Sequence, residues 1–317
     1  MAESGQRLPG ILGGKMITVK EKRVPSSDGI HILKGKIFIP DGQITGYLHI
    51  VHGMTEHIGR YESFMRLAAE QGYIAFGYDN LGHGATADNE GELGFIAHRD
   101  GWKLLAKDVK VFSDSVKSEY GELPYYLMGH SMGSFIVRTS VSMFARPDKL
   151  IIMGTGGANP ASGIGLAFTK LIKFFKGERY ISKTVDKLAF GSYNSHFEGE
   201  GASAWLSKDT ENHRHYAADK YCTFKFSVSA MQDLITLNRY ANSKKCFENT
   251  PDIPILLVSG SEDPVGDYGE GVKEVYNALK ATGHNVKLKL YSSYRHEILN
   301  DFCRECVEKD IFTFLSE

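Results

Sequence analysis

Leu127-Met128-Gly129-His130-Ser131-Met132-Gly133-Ser134 decides the reading of this 317-residue chain. It is a G-x-S-x-G run set between a short apolar segment, Tyr125–Met128, and a helical pattern over Ser131–Ala145 that stops ahead of Pro147. A buried strand that turns sharply into a helix forces Ser131 into a strained conformation and leaves its hydroxyl exposed. Gly129 and Gly133 carry no Cβ, so neighbouring backbone can pack against the turn. The Met132 amide opens the helix and is placed to donate to an anionic oxygen. A serine hydroxyl alone is a weak nucleophile, so this reading requires a base within reach. The competing reading is a glycine-rich turn in which Ser131 only caps the helix.

Working outward, Ile44–Val51, Tyr73–Tyr78, Leu150–Met153, Ile255–Ser259 and Val286–Leu290 are further short apolar runs. Several barely alternate, as expected for strands covered on both faces. Met16–Val24 and Ile30–Ile39 read as a leading hairpin around Ser26–Gly29. Trp102, Leu105, Val109, Phe112 and Val116 step by three and four along one helical face. Tyr268–Ala281 ends at Gly283, and His296–Leu315 reads as a closing helix. This alternation predicts an α/β fold with a mainly parallel sheet. It fails over residues 158–228, which read as an inserted cap of helices and loops. The cap divides a core made of residues 1–157 and 229–317.

Apolar residues make up 42% of the chain, which excludes a disordered protein. Lys and Arg (37) balance Asp and Glu (38), so no basic excess points to nucleic acid as a partner. Four cysteines are too few for a disulfide scaffold of this size and suit a reducing compartment. Met1–Lys15 lacks the apolar run of a secretory leader. Leu150–Thr169 carries five glycines and Pro160, so it is a poor membrane span. A cytoplasmic location is expected.

In folds built on this turn, the orienting acid and then the base follow the serine along the chain. Asp263 follows the strand Ile255–Ser259 at a turn, and His296 follows the last strand. His296 would take the Ser131 proton, and Asp263 would hold the imidazole tautomer. Glu262 and Asp267 compete for the acid; Glu262 should point away, and Asp267 should open the next helix as a cap or first-turn charge. His52-Gly53-Met54 follows another strand, and the Met54 amide is the candidate second oxyanion donor, against a plain turn. Asp79–Gly84 reads as a turn shaping the rim, with His83 a supporting hydrogen bonder. His213 and His215, near His196 and Cys222, lack zinc-ligand spacing, and no metal is expected. Cys303-x-x-Cys306 reads as structural, inside the last helix. In Ile164–Lys176, Phe168, Leu171, Ile172 and Phe175 can share a face beside Lys170, Lys173 and Lys176. Such a helix either roofs an apolar pocket or touches a lipid or micelle surface.

HGMTEHIGRY (His52–Tyr61), YDNLGHG (Tyr78–Gly84), GHSMGS (Gly129–Ser134), SGSEDPVG (Ser259–Gly266) and HEILN (His296–Asn300) together resemble the monoacylglycerol lipase and lysophospholipase branch of the α/β-hydrolases, the serine aminopeptidase S33-like group. The resemblance covers residues 15–317. It implies an eight-stranded sheet, a mobile cap and hydrolysis of a small lipid or ester substrate through an acyl-serine, without cofactor. It gives Ser131, Asp263 and His296 the triad roles and the Met54 and Met132 amides the oxyanion hole. GSYN (Gly191–Asn194), WLSKD (Trp205–Asp209) and DKYCTFKF (Asp219–Phe226) are similar to bacterial lysophospholipase-like members, which commonly show D-P-L-C where Asp219-Lys220-Tyr221-Cys222 stands. Lysophospholipase is thus the nearest sibling activity. A proline-releasing peptidase ranks below it, since such enzymes usually carry a Gly-Gly-x-Pro-Gly loop that His52–Glu56 does not match. A non-catalytic ligand binder is the remaining alternative.

Overall fold

The computed structural model describes residues 6–7 and 16–317. The reading of Met1–Lys15 as lacking a leader therefore falls, Gln6 and Arg7 apart, outside the described residues. The strands are β1 (Gln6–Arg7), β2 (Ile17–Pro25), β3 (Ile32–Pro40), β4 (Gly46–Val51), β5 (Tyr73–Tyr78), β6 (Tyr125–His130), β7 (Lys149–Met153), β8 (Ile255–Gly260) and β9 (Val286–Tyr291). The helices are α1 (Glu62–Glu70), α2 (Gly101–Tyr120), α3 (Met132–Met143), α4 (Ser162–Lys176), α5 (Lys183–Phe190), α6 (Thr210–Ala218), α7 (Val228–Ala241), α8 (Lys244–Asn249), α9 (Glu270–Ala281) and α10 (Arg304–Ser316). Strands β2–β9 are the eight expected from sequence; β1 adds a two-residue edge.

The sheet order is β1-β2-β3-β5-β4-β6-β7-β8-β9. β2 and β3 form the expected antiparallel hairpin, and every pairing from β5 to β9 is parallel. Every residue of β4, β5 and β8 is buried, because helices cover both faces. Side chains alternate accordingly. Tyr47 and Val51 of β4 join α2, α3, α7 and α9 on one face, while Leu48 and Ile50 join α1 and α10 on the other. This is an α/β-hydrolase architecture. From β4 the chain moves outward to β5 and then returns to β6 on the opposite side. That reversal opens a crevice at the carboxyl ends of β4 and β6, where ligands of open α/β sheets bind.

One helix differs from expectation. His296 lies on a loop followed by a single 3-10 turn, Ile298–Asn300, and α10 begins only at Arg304. Asp301 breaks the helical run: it is extended, and its carboxylate accepts the amides of Lys208 and Phe302. Cys303 is consequently the residue before α10, and Cys306 alone lies inside it. Between β7 and β8 no strand forms, and α4–α8 occupy the stretch. Among the described residues no helix is long and apolar enough to cross a membrane.

Candidate active site

Ser131 follows β6 with φ 55° and ψ −123°, a conformation costly for a residue with a Cβ. Its surroundings enforce it. The Ser131 amide donates to Met153 O at 3.0 Å, and Ser134 Oγ donates to Ser131 O at 2.6 Å. A Cβ on Gly129 would sit 2.3 Å from Gly133 O, and one on Gly133 would sit 2.1 Å from Val51 O, so only glycine fits either position. The Ser131 side chain makes no capping bond to α3. The hydroxyl is therefore not spent on the helix, which removes the N-cap reading.

The loop after β4 presses against this turn: a Cβ on Gly53 would lie 2.8 Å from Ser131 Cβ. The Met54 and Met132 amides find no acceptor among the described residues. Both residues border the cavity that Ser131 borders. Two free N–H groups beside one exposed hydroxyl can receive a developing oxyanion. The loop is held by Glu56, whose buried carboxylate accepts the Gly53 amide, the Tyr61 hydroxyl at 3.0 Å and His130 Nδ1 at 3.2 Å. Burial alone would lower the His130 pKa, but its bond to Glu56 and that residue's charge raise it above its ordinary value.

Asp263 is fully buried after β8. Its Oδ1 accepts the Val265 amide at 2.9 Å, and its Oδ2 accepts Ser259 Oγ at 3.1 Å. Oδ2 also accepts His296 Nδ1 at 2.9 Å. With Nδ1 donating, His296 Nε2 is the basic nitrogen. His296 borders the same cavity as Ser131, and the Trp205 ring covers its imidazole at 5.1 Å between centroids. Among the described residues no hydrogen bond from Ser131 Oγ is formed. The competitors separate from the site: neither Glu262 nor Asp267 bonds to His296. Asp267 is neither cap nor first-turn residue of α9. It sits in the preceding turn at φ 49°, with Gly269 as the cap and Glu270 as the first-turn charge, because the chain must first fold back around Asp263.

His83 is buried and bonds within its own turn to Leu81 O. The His213 and His215 pair does not converge: His213 bonds Ser207 O, while exposed His215 faces Glu211. His196 stacks on Tyr268 instead. Among the described residues, the His, Asp and Cys side chains that do gather are His57, Asp219 and Cys222, where His57 Nε2 lies 2.8 Å from Asp219 Oδ2.

The cavity measures about 620 Å³ and is walled mainly by apolar groups, among them Phe135, Phe168, Val185, Met231 and Leu234. The four residues expected to share one face of α4 divide between two environments. Phe168 and Ile172 pack inward, whereas Leu171 and Phe175 turn outward beside Phe174, which is 81% exposed. Sequence reasoning gave no role to Glu56, Arg60, Asn212, Tyr216 or Glu297. The E-x-x-x-R spacing within HGMTEHIGRY was the available signal, although the pair forms across a loop that leads into a single 3-10 turn, Ile58–Tyr61.

A family model described as serine aminopeptidase S33 matches residues 42–302. The chain is 34% identical over 260 residues to the human monoglyceride lipase, covering 81% of this chain and 77% of that protein. It is 23% identical over 262 residues to an uncharacterised abhydrolase domain-containing protein of Dictyostelium discoideum, covering 81% of this chain and spanning only 24% of that longer protein. A highly thermostable carboxyl esterase from Bacillus coagulans, solved in complex with glycerol, superposes with a TM-score of 0.89 at 30% identity, covering 94% of this chain and 98% of that one. The chain belongs to the serine aminopeptidase S33 family of α/β-hydrolases and is a carboxylic ester hydrolase.

Proposed function

We propose that Ser131, Asp263 and His296 are the catalytic triad of a monoacylglycerol lipase, with the Met54 and Met132 amides as the oxyanion hole. One observation carries this reading: an uncapped, strained serine hydroxyl shares an apolar cavity with an imidazole whose other nitrogen is locked onto a buried carboxylate. His296 Nε2 takes the Ser131 proton as Oγ attacks the ester carbonyl. The oxyanion is held by the two free amides. His296 then protonates the leaving alcohol, giving an acyl-Ser131 intermediate. Water, deprotonated by the same imidazole, releases the fatty acid and restores the serine. Asp263 keeps the tautomer and stabilises the imidazolium throughout.

The apolar wall and the cavity's volume suit an acyl chain, since small-molecule sites span roughly 300–1,000 Å³. Likeness to the human monoglyceride lipase supports glycerol as the alcohol. Residues 158–228 act as the cap over the core of 1–157 and 229–317, because α4 and α5 wall the cavity and no strand interrupts the stretch. The outward face of α4, Leu171, Phe174 and Phe175 beside Lys170 and Lys176, provides transient contact with a lipid surface, whereas Lys173 is tied to Ser229 and Glu178. Four unpaired cysteines support the expected cytoplasmic location. The test is turnover of monoacylglycerol, lysophosphatidylcholine and proline-arylamide by the same preparation. Monoacylglycerol is expected to be cleaved fastest. Faster cleavage of either other substrate overturns the assignment.

A further inference from the structure

We infer that the second half of the insertion is a positioning part of this centre: Asn212 and Tyr216, four residues apart on α6, hold the His296 loop and the Met54 loop in place through Arg60 and Glu297. The inference rests on the triad reading above. The base and one oxyanion donor both sit on loops, and a displacement near 1 Å at a reacting group costs about 10²-fold in rate. Something must hold those loops.

The histidine loop is fastened largely by the insertion. The Glu297 amide donates to Leu206 O at 2.6 Å, and the His296 amide reaches Trp205 O at 3.4 Å. Arg295 Nη1 donates to Ala204 O at 2.7 Å and to Ser207 O at 3.3 Å. On the far side, His130 Nε2 lies 3.2 Å from His296 O. The backbone carrying the imidazole is thus gripped between the serine turn and the insertion.

The side chains complete the grip. Arg60 sets its fork on Glu297 with bonds of 2.5 and 2.7 Å, and also reaches Glu56 at 3.2 Å. Both carboxylates are at least nine-tenths buried, so their repulsion is unsustainable without this cation and His130. The buried Asn212 amide serves both ions: Nδ2 donates to Glu297 at 2.7 Å, and Oδ1 accepts from Arg60 at 2.9 Å. One helical turn later, the Tyr216 ring lies against the Arg60 guanidinium at 5.0 Å. Its hydroxyl donates to Thr55 O at 3.1 Å and lies 2.9 Å from Thr55 Oγ1. Thr55 follows Met54 and sits at φ 50°, a conformation that needs support. Glu56 holds the other side of Met54 through the Gly53 amide. One helix face therefore reaches both loops.

Tyr216 and Glu297 also border the cavity, so a substrate-binding role must be separated from a positioning one. The experiment measures kcat and KM for a water-soluble p-nitrophenyl ester, together with the rate of Ser131 labelling by a fluorophosphonate. Asn212→Ala and Tyr216→Phe are expected to lower kcat about 10- to 100-fold, the cost of displacing a reacting group by up to about 1 Å. KM should stay within about twofold, and labelling should slow in proportion to kcat. Tyr216→Phe keeps the ring against Arg60 and so serves if Asn212→Ala does not fold. Arg60→Ala should lose more and regain activity in tens of millimolar guanidinium, far below denaturing concentrations, and not in urea. Unchanged kcat in the folded variants, or a rise in KM alone, overturns the inference and leaves the triad reading intact. A wild-type protein that turns over ester without labelling at Ser131 overturns the triad reading itself.

Discussion

Helices α4 and α5 meet the rest of the molecule chiefly through apolar side chains such as Phe168, Ile172 and Val185, and they leave Phe174, Phe175 and Leu188 in solvent. Residues 204–219 do the reverse. They meet it through directed polar bonds to Arg60, Glu297, Arg295, Asp301 and His57. Both stretches lie between β7 and β8 and border one cavity. Dispersion and burial tolerate sliding, because they have little direction. A hydrogen-bonded network of buried ions does not, since each lost partner leaves a group unsatisfied. On the function proposed above, the difference separates two tasks: the polar stretch would fix reacting groups, and the apolar stretch would admit a flexible acyl chain.

The strongest way to break this division is at the centre both halves serve. Ser131→Ala and His296→Ala should each lower ester turnover by about 10⁴-fold or more, since triad members act as a unit. Asp263→Asn should lose about 10⁴-fold through the wrong tautomer. Steady-state assays on one soluble ester check all three. On the apolar half, Phe174→Ser combined with Phe175→Ser should leave turnover of a soluble p-nitrophenyl ester unchanged. The same variant should lower turnover of monoacylglycerol presented in vesicles by more than tenfold, given about 1.5–3 kcal/mol for each large apolar side chain buried and about 1.4 kcal/mol per factor of ten. Equal losses on both substrates would erase the distinction. Amide hydrogen exchange sharpens it: residues 162–190 should exchange well ahead of residues 204–219, because few directed bonds hold them.

The smallest expected effect is on stability against pH. His130 has a raised pKa in the fold, so its contribution is complete below its ordinary value of 6.5 and is lost as pH rises through the raised one. For Glu56, burial opposes ionisation, but the bond and charge of His130 and the charge of Arg60 outweigh it and lower the pKa. Its contribution is complete above the ordinary value of 4.5 and falls away as acid approaches the lowered one. Melting temperature should therefore be highest between those two ordinary values. On the alkaline side it should fall by a few degrees, at roughly 4 °C per kcal/mol or less for a chain this long. His130→Asn should flatten that alkaline limb, and a limb that persists in the variant would assign it elsewhere.

Much of this centre was legible from residue order. Gly129-His130-Ser131-Met132-Gly133 reveals itself because a strand-turn-helix needs glycine on both sides of its strained residue. Asp263 and His296 followed from their places after β8 and β9. The polar network around Arg60 was not legible. Asn212 and Glu297 stand 85 residues apart and meet only once the insertion folds back over the sheet edge. No periodicity records such a contact. The closing helix misled for a related reason: the apolar spacing after His296 is helical, but Asp301 spends its carboxylate on the Lys208 amide of the insertion, and that tertiary bond stops the helix. On α4, spacing gave an apolar face, but it could not tell the residues that pack inward from those that face water.

The central claim is that Ser131 is the nucleophile. Peptide mapping by mass spectrometry after fluorophosphonate treatment tests it most directly. One adduct per chain is expected, carried by Ser131, with none on the Ser131→Ala protein. An adduct on a different residue, or ester turnover that survives in Ser131→Ala, would contradict it.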